Sequence, residues 1–210
     1  MLKLKDMIHK DSIETIGMYL DELEQEARLE ETQSLNRNDQ RKLYQIANNA
    51  RPLELEDLVP PDVPNLKEVV HKGRNTLPLP GTFRSFEKRF CRPDEIDKQQ
   101  IFGYNEGVTR KLIGPGFFIA KSTKDTPSWS ERGSIVIDYF EIPNGAVDPS
   151  WPTIKPNNRG LQFFVYNKTR DYMRCVSKHV SIGAVYQTRG SGASAKDNFM
   201  DHYFILCRQD

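Results

Sequence analysis

The chain has 210 residues, 37% of them hydrophobic and 28% charged, with 13 Gly, 13 Pro and a formal net charge of +1. That length suits one domain, or one domain with an appendage, and the apolar share is enough for a core. The opening run MLKLKDMIHKDS lacks the apolar stretch of a secretory signal, and no apolar run approaches the ~18 residues of a membrane span, so the sequence reads as cytoplasmic and not membrane-bound. Three cysteines, Cys91, Cys175 and Cys207, form neither a disulfide framework nor a CxxC pair, which fits free thiols in a reducing compartment.

The near-neutral total conceals a split. Residues 1–73 carry 10 Lys+Arg against 15 Asp+Glu, net −5, and residues 74–210 carry 20 against 14, net +6. All 11 Phe, both Trp and 6 of the 8 Tyr follow residue 73, so the bulk of the core material lies in the second part. Three segments follow: a helical hairpin over residues 1–50, a proline-rich arm over 51–80 and a β-rich main domain over 81–210.

In chain order, Ile13, Ile16, Leu20, Leu23 and Ala27 alternate spacings of 3 and 4, which predicts a helix with one apolar stripe, capped by Asp11 and Glu14. A second helix is expected from Asp39 to Asn48 on Leu43, Ile46 and Ala47, with its N-cap supplied by the preceding NRND. Pro52, Pro60, Pro61, Pro64, Pro78 and Pro80 then impose an extended arm, with room for a short helix near Leu66–His71. Leu53, Leu55, Leu58, Val59 and Leu66 are more apolar than a solvated linker needs, so the arm should lie against the main domain.

In the second part, Phe83, Phe86 and Phe90 suggest a short helix ending at Cys91, with an edge strand as the alternative. LIGPGFFIAK, GSIVIDYFEIP, LQFFVY, VSIGAVYQ and FMDHYFILC read as antiparallel strands between turn clusters. Thr169 is expected to cap a helix over 169–178, with Tyr172, Met173, Val176 and Val180 as its apolar stripe, covering one sheet face. The fold class is α+β: the N-terminal helical hairpin and proline-rich arm attached to an antiparallel sheet that can curve into a partial barrel, with one covering helix.

Six cations stand out. Arg84, Lys88 and Arg92, and again Arg170, Arg174 and Lys178, repeat every four residues, which on helices would make two basic stripes; Glu22, Glu26 and Glu30 show the opposite sign. These stripes are candidates for an anion site or for docking of the acidic N-terminal helix, against the plainer reading of solvated helix faces. Cys175 and His179 lie four apart, close enough on a helix for the imidazole to activate the thiol; a small buried side chain is the alternative. Asp138 shares a strand face with Val136 and Phe140 and needs a partner, for which Arg170, Arg174 and Arg110 are available, or a catalytic role.

Gly114-Pro115-Gly116 has the order of a type II turn, and the Gly190–Lys196 loop resembles a phosphate loop only in its small residues. Trp129 and Trp151 lie in loops, where they cap a core or grip a partner. If the strand ending at Gln187 pairs with FMDHYFILC, His179 faces Arg208 and His202 faces Val185, roughly 20 Å apart, so those two histidines share no metal. No cofactor is implied, and the mild basic charge without a recognition motif argues against nucleic acid.

The function expected on these grounds is non-catalytic binding of an anionic or amphipathic small molecule, or of an acidic protein partner. One alternative is a small enzyme using Asp138, His179 or Cys175. Another is an adaptor that forms homo-oligomers through residues 11–48.

Overall fold

The computed structural model describes residues 3–78, 80–94, 99–108, 110–190 and 195–209. Eight strands close into an antiparallel barrel in which each strand pairs with its neighbours in sequence and the last pairs with the first. They are β1 (Val69–Asn75), β2 (Ser85–Cys91), β3 (Gln100–Glu106), β4 (Phe118–Ser122), β5 (Ile135–Asp138), β6 (Thr169–Cys175), β7 (Val180–Arg189) and β8 (Lys196–Arg208). Closure leaves no sheet edge bare, and an eight-stranded barrel is wide enough for packed side chains or one small ligand.

Several expected elements are corrected. The covering helix over 169–178 is instead strand β6, and the helix near Phe83–Cys91 is the strand alternative, β2, entered through one 3-10 turn. LQFFVY, read as a strand, contains a short helix, and the helix near Leu66–His71 gives way to β1, so the barrel draws its first strand from the proline-rich arm. The remaining strand, β3, has no counterpart in the sequence reading.

Four helices stand where a two-helix hairpin is expected: α1 (Leu4–Met7), α2 (Ile13–Glu22), α3 (Gln25–Ser34) and α4 (Arg37–Ile46). The long first helix breaks at Leu23, whose ψ of 141° is extended. Arg28 satisfies the carbonyls freed there, donating to Leu20 at 2.9 Å and to Leu23 at 2.7 Å. The N-cap of α2 is Ser12, not Asp11, its hydroxyl accepting from the Thr15 amide. For α4 the cap comes from the NRND run, as Asn36 and Asp39 form a reciprocal capping box.

These helices cover the barrel's outer wall. Leu4, Ile13, Ile16, Leu20 and Leu43 pack in one cluster with Val180, Ile182 and Ala184 of β7 and with Tyr203, Ile205 and Cys207 of β8. Charge enters with a sign opposite to that expected from the glutamate stripe: Arg37 and Arg41 of α4 pair with Asp201 at 2.8 and 2.9 Å. A second outer cluster, Cys91, Phe102, Tyr104, Phe117 and Ile119, is sealed by Trp151 from the long loop after β5.

Four further short α-helices lie among the described residues: α5 (Leu55–Leu58), α6 (Arg110–Ile113), α7 (Pro127–Ser130) and α8 (Gln162–Val165). Leu53, Leu58 and Val59 around α5 enter the interior cluster of Val69, Phe90, Ile101, Ile135, Met173, Cys175 and Leu206, and so plug one end of the barrel. Cationic and imidazole groups hold the plug by its carbonyls. Arg92 donates to Val59, Pro60 and Val63, Arg208 donates to Asp57, and buried His71 bonds the Leu58 carbonyl at 2.9 Å.

Candidate functional site

With one end plugged, the other end is open. Alternation along the strands turns Phe86, Lys88 and Phe90 of β2, Asn105 of β3, Asp171 and Met173 of β6 and Phe204 of β8 toward the axis. A cavity of about 460 Å³ occupies the open half, between the rim residues Asn75, Ser85, Glu106 and Gln187 and a floor made by Lys88, Asn105, Tyr139 and Asp171. Residues one step deeper, such as Phe90, Met173 and Leu206, belong to the apolar layer beneath.

The floor is a closed polar cluster. Lys88 Nζ donates to Asn105 Oδ1 at 3.0 Å and to Asp171 Oδ2 at 3.1 Å, and it touches the Tyr139 hydroxyl. That hydroxyl donates to Asp171 Oδ2 at 3.2 Å, and Asn105 Nδ2 donates to the Gly116 carbonyl at 3.1 Å. Lys88 and Asp171 are almost wholly buried, with 2% and 5% of their side chains exposed. Burial pulls the Lys88 ammonium below the usual lysine range and pushes the Asp171 carboxyl upward, each opposed by the attraction of the other. Burial, reinforced by the Asp171 charge, also lifts the Tyr139 phenol far above its ordinary value, so it is a proton donor and not a phenolate.

Around the ammonium stand four aromatic rings. Its nitrogen lies 4.9 Å from the centroids of Phe118 and Phe204, 5.1 Å from Tyr139 and 5.8 Å from Phe86. Three of these rings sit opposite glycines: Phe86 faces Gly73, Phe118 faces Gly103 and Phe204 faces Gly183. A Cβ at any of the three glycines would come within 2.8 Å of its facing ring. Bare α-carbons thus let the rings lie against the wall.

At the mouth, Gly114 and Gly116 take positive φ of 113° and 54°, giving the Gly-Pro-Gly run the sharp turn that its order suggests. Gln162 and Tyr166, one helical turn apart, close over these glycines, and Tyr166 stacks on Tyr139 at 5.2 Å. His202 lines the cavity wall, and its buried Nδ1 has no hydrogen-bond partner among the described residues. Phe83 and Phe164, which line the cavity, are exposed at its rim.

Of the six cations singled out from the sequence, Lys88 alone reaches the floor. On strands the four-residue repeat no longer makes a compact helical stripe, and neighbours in it stand ~14 Å apart. Arg84 lies in the turn before β2, and Arg92 binds the plug. Arg170 pairs with Asp138 at 2.9 Å and lies 4.7 Å over the ring of Trp129; Arg174 donates to the carbonyls of Arg132, Tyr44 and Glu131. The Lys178 amide bonds Asp21. Asp138 accordingly has the plain arginine partner foreseen for it.

Cys175 belongs to the interior apolar layer. Its thiol donates to the Ser177 carbonyl, and burial pushes its pKa up to about 11, opposite to the direction an activated nucleophile requires. His179 Nδ1 lies 3.3 Å from Arg208. The β7–β8 register places His179 beside Arg208 as expected, then shifts by two residues beyond a bulge between Ala184 and Tyr186. Part of the Gly190–Lys196 loop lies outside the described residues.

Sequence reasoning missed Asp171, Tyr139 and Asn105, although the test applied to Asp138 finds Lys88 at once, since Phe86 and Phe90 share its face. Among the described residues no group of three or more His, Cys, Asp or Glu side chains is arranged to hold a metal ion. No helix among them is long and apolar enough to cross a membrane. No family model matches the chain, and neither a curated protein nor a solved structure resembles it significantly.

Proposed function

We propose that the barrel binds a small amphipathic molecule, its apolar body among the aromatic rings and its polar end on the Lys88–Asp171–Tyr139 floor. The observation that carries this reading is the cavity itself: about 460 Å³, within the ordinary range of small-molecule sites, with apolar walls and a few convergent polar groups. An amphipathic ligand suits the site better than a simple anion. Asp171 offsets the Lys88 charge at 3.1 Å, and the other cations of the two stripes do not converge there.

The adaptor alternative has less to recommend it, because Ile13, Ile16 and Leu20 are already under the chain's own barrel wall. The enzyme alternative moves from Asp138, His179 and Cys175 to the floor cluster. Native mass spectrometry of protein purified from its own host, compared with Val185→Phe, tests the binding reading. Val185 lines the cavity, so the expected result is a small-molecule mass retained by the wild-type chain and lost from the variant. Absence of any retained mass, together with no uptake of a naphthalene dye that Val185→Phe excludes, would end it.

A further inference from the structure

A buried ion pair is poor value as a stability device, since apolar replacement is often neutral or favourable; one placed at the floor of a cavity asks for a chemical role. Lys88 is among the residues that line that cavity, and its Nζ has a carboxylate oxygen at 3.1 Å, an amide oxygen at 3.0 Å and a phenol in contact. An amine beside an apolar pocket, flanked by one proton acceptor and one proton donor, is the arrangement that imine formation uses. We propose that Lys88 condenses with the carbonyl group of an apolar aldehyde or ketone held in the cavity, giving an iminium that has Asp171 as its counter-ion. This rests on the cavity being a ligand site.

The protons and bonds balance within the cluster. Asp171 takes one proton from the ammonium, and the freed amine attacks the carbonyl carbon, forming the C–N bond as the carbonyl π bond breaks. The Tyr139 phenol donates to the developing oxyanion and is reprotonated from the new ammonium centre, leaving a carbinolamine. Protonation of its hydroxyl by Asp171 expels water as the C=N bond forms. Of the three ammonium protons two leave in that water and one remains on the iminium nitrogen, so charge is conserved and no oxidant or reductant is needed. The iminium inherits the ammonium's surroundings, with Asp171 beside it and the Phe118 and Phe204 rings at 4.9 Å, so the site favours the product charge as it did the starting one. Burial, which lowers the Lys88 pKa and raises that of Asp171, eases the first transfer.

The test uses the full chain with naphthaldehyde, cyanoborohydride reduction and peptide mapping, alongside naphthalenemethanol as a ligand that binds without condensing. The expected adduct lies on Lys88, at about tenfold or more the occupancy of any surface lysine. It is absent in Lys88→Arg, and it forms roughly 10- to 100-fold more slowly in Tyr139→Phe, which keeps the amine. If the alcohol binds but the aldehyde leaves Lys88 unmodified, or labels only surface lysines, the imine is wrong and the binding reading stands. If neither compound binds, both are wrong. Mapping of the wild-type chain decides the matter even where a variant fails to fold.

Discussion

Gly103 on β3 stands directly across from Phe118 on β4, and a methyl group added to its α-carbon would lie 2.2 Å from the ring. A glycine weakens a strand by leaving backbone uncovered, and a facing ring that lies over it restores that cover. The same pairing recurs at Gly73 with Phe86 and at Gly183 with Phe204, so the aromatic enclosure of Lys88 is built into strand register.

The first prediction follows from that contact. Gly103→Ala should destabilise the chain by about 1–3 kcal/mol through overpacking. Adding Phe118→Leu should make the double variant less unstable than the two single effects together. Urea unfolding measures this, and additivity within about 0.5 kcal/mol would show that the ring and the missing methyl do not share space.

Lys88 and Asp171 should behave as a pair. Lys88→Met or Asp171→Leu alone leaves one buried charge stranded and should cost about 3–5 kcal/mol, while the double variant should recover most of that loss. Uptake of naphthalenemethanol by the refolded double variant should still fall, because two of the four polar groups of the floor are gone. A double variant whose loss equals the sum of the two single losses would mean that the two side chains are not energetically coupled.

Acid should loosen the plugged end. Burial, with Arg208 and His179 adding to it, lowers the His71 pKa from 6.5 to about 3. The unfolded chain therefore takes up a proton below pH 6.5 that the folded chain refuses until about pH 3. Stability from this group is fully present above that window and is lost as pH falls through it, by about 1.4 kcal/mol per unit. Denaturation curves between pH 7 and pH 5 should show a slope that His71→Gln reduces; equal slopes in both proteins would remove His71 as the cause.

Cys175 should be inert. With its pKa near 11 and its side chain within the apolar layer, alkylation by iodoacetamide at neutral pH should run far slower than that of free cysteine. Labelling at the free-thiol rate in the folded protein would contradict the packing described for the closed end.

How much of this was legible in the sequence depends on which face of each strand is apolar. β4, β5, β7 and β8 were readable as apolar or alternating runs bounded by turns. β2 was readable only as the alternative to a helix and β6 only as a helix, and the residues that obscured them are those of the site. Lys88 breaks the inward row between Phe86 and Phe90, and Asp171 breaks the inward row leading to Met173 and Cys175. The outward face of β6 carries buried Tyr172, which packs against Trp129 and Tyr186, so its alternation is further blurred. Consistency between local pattern and fold fails where a polar cluster is set into a core. For LQFFVY the cause is different. Its bulky residues look like strand material, yet Phe164 is 76% exposed, and the segment turns helical to bring Gln162 and Tyr166 over the two glycines of the rim.

The order of the strands has a consequence in time. The wall that α1, α2 and α4 cover is formed by β7 and β8, the last two strands of the barrel, although these helices precede every strand in chain order and so are synthesised before them. Leu20 and Val180, which belong to one core cluster, are separated by 160 positions, so at ribosomal speed the apolar stripe of α2 waits on the order of ten seconds or more for its surface. Over the same interval β1 holds only β2, since its other neighbour is β8. Nascent chains stalled before residue 180 should therefore engage holding chaperones through the N-terminal helices, and release should coincide with the arrival of the final hairpin.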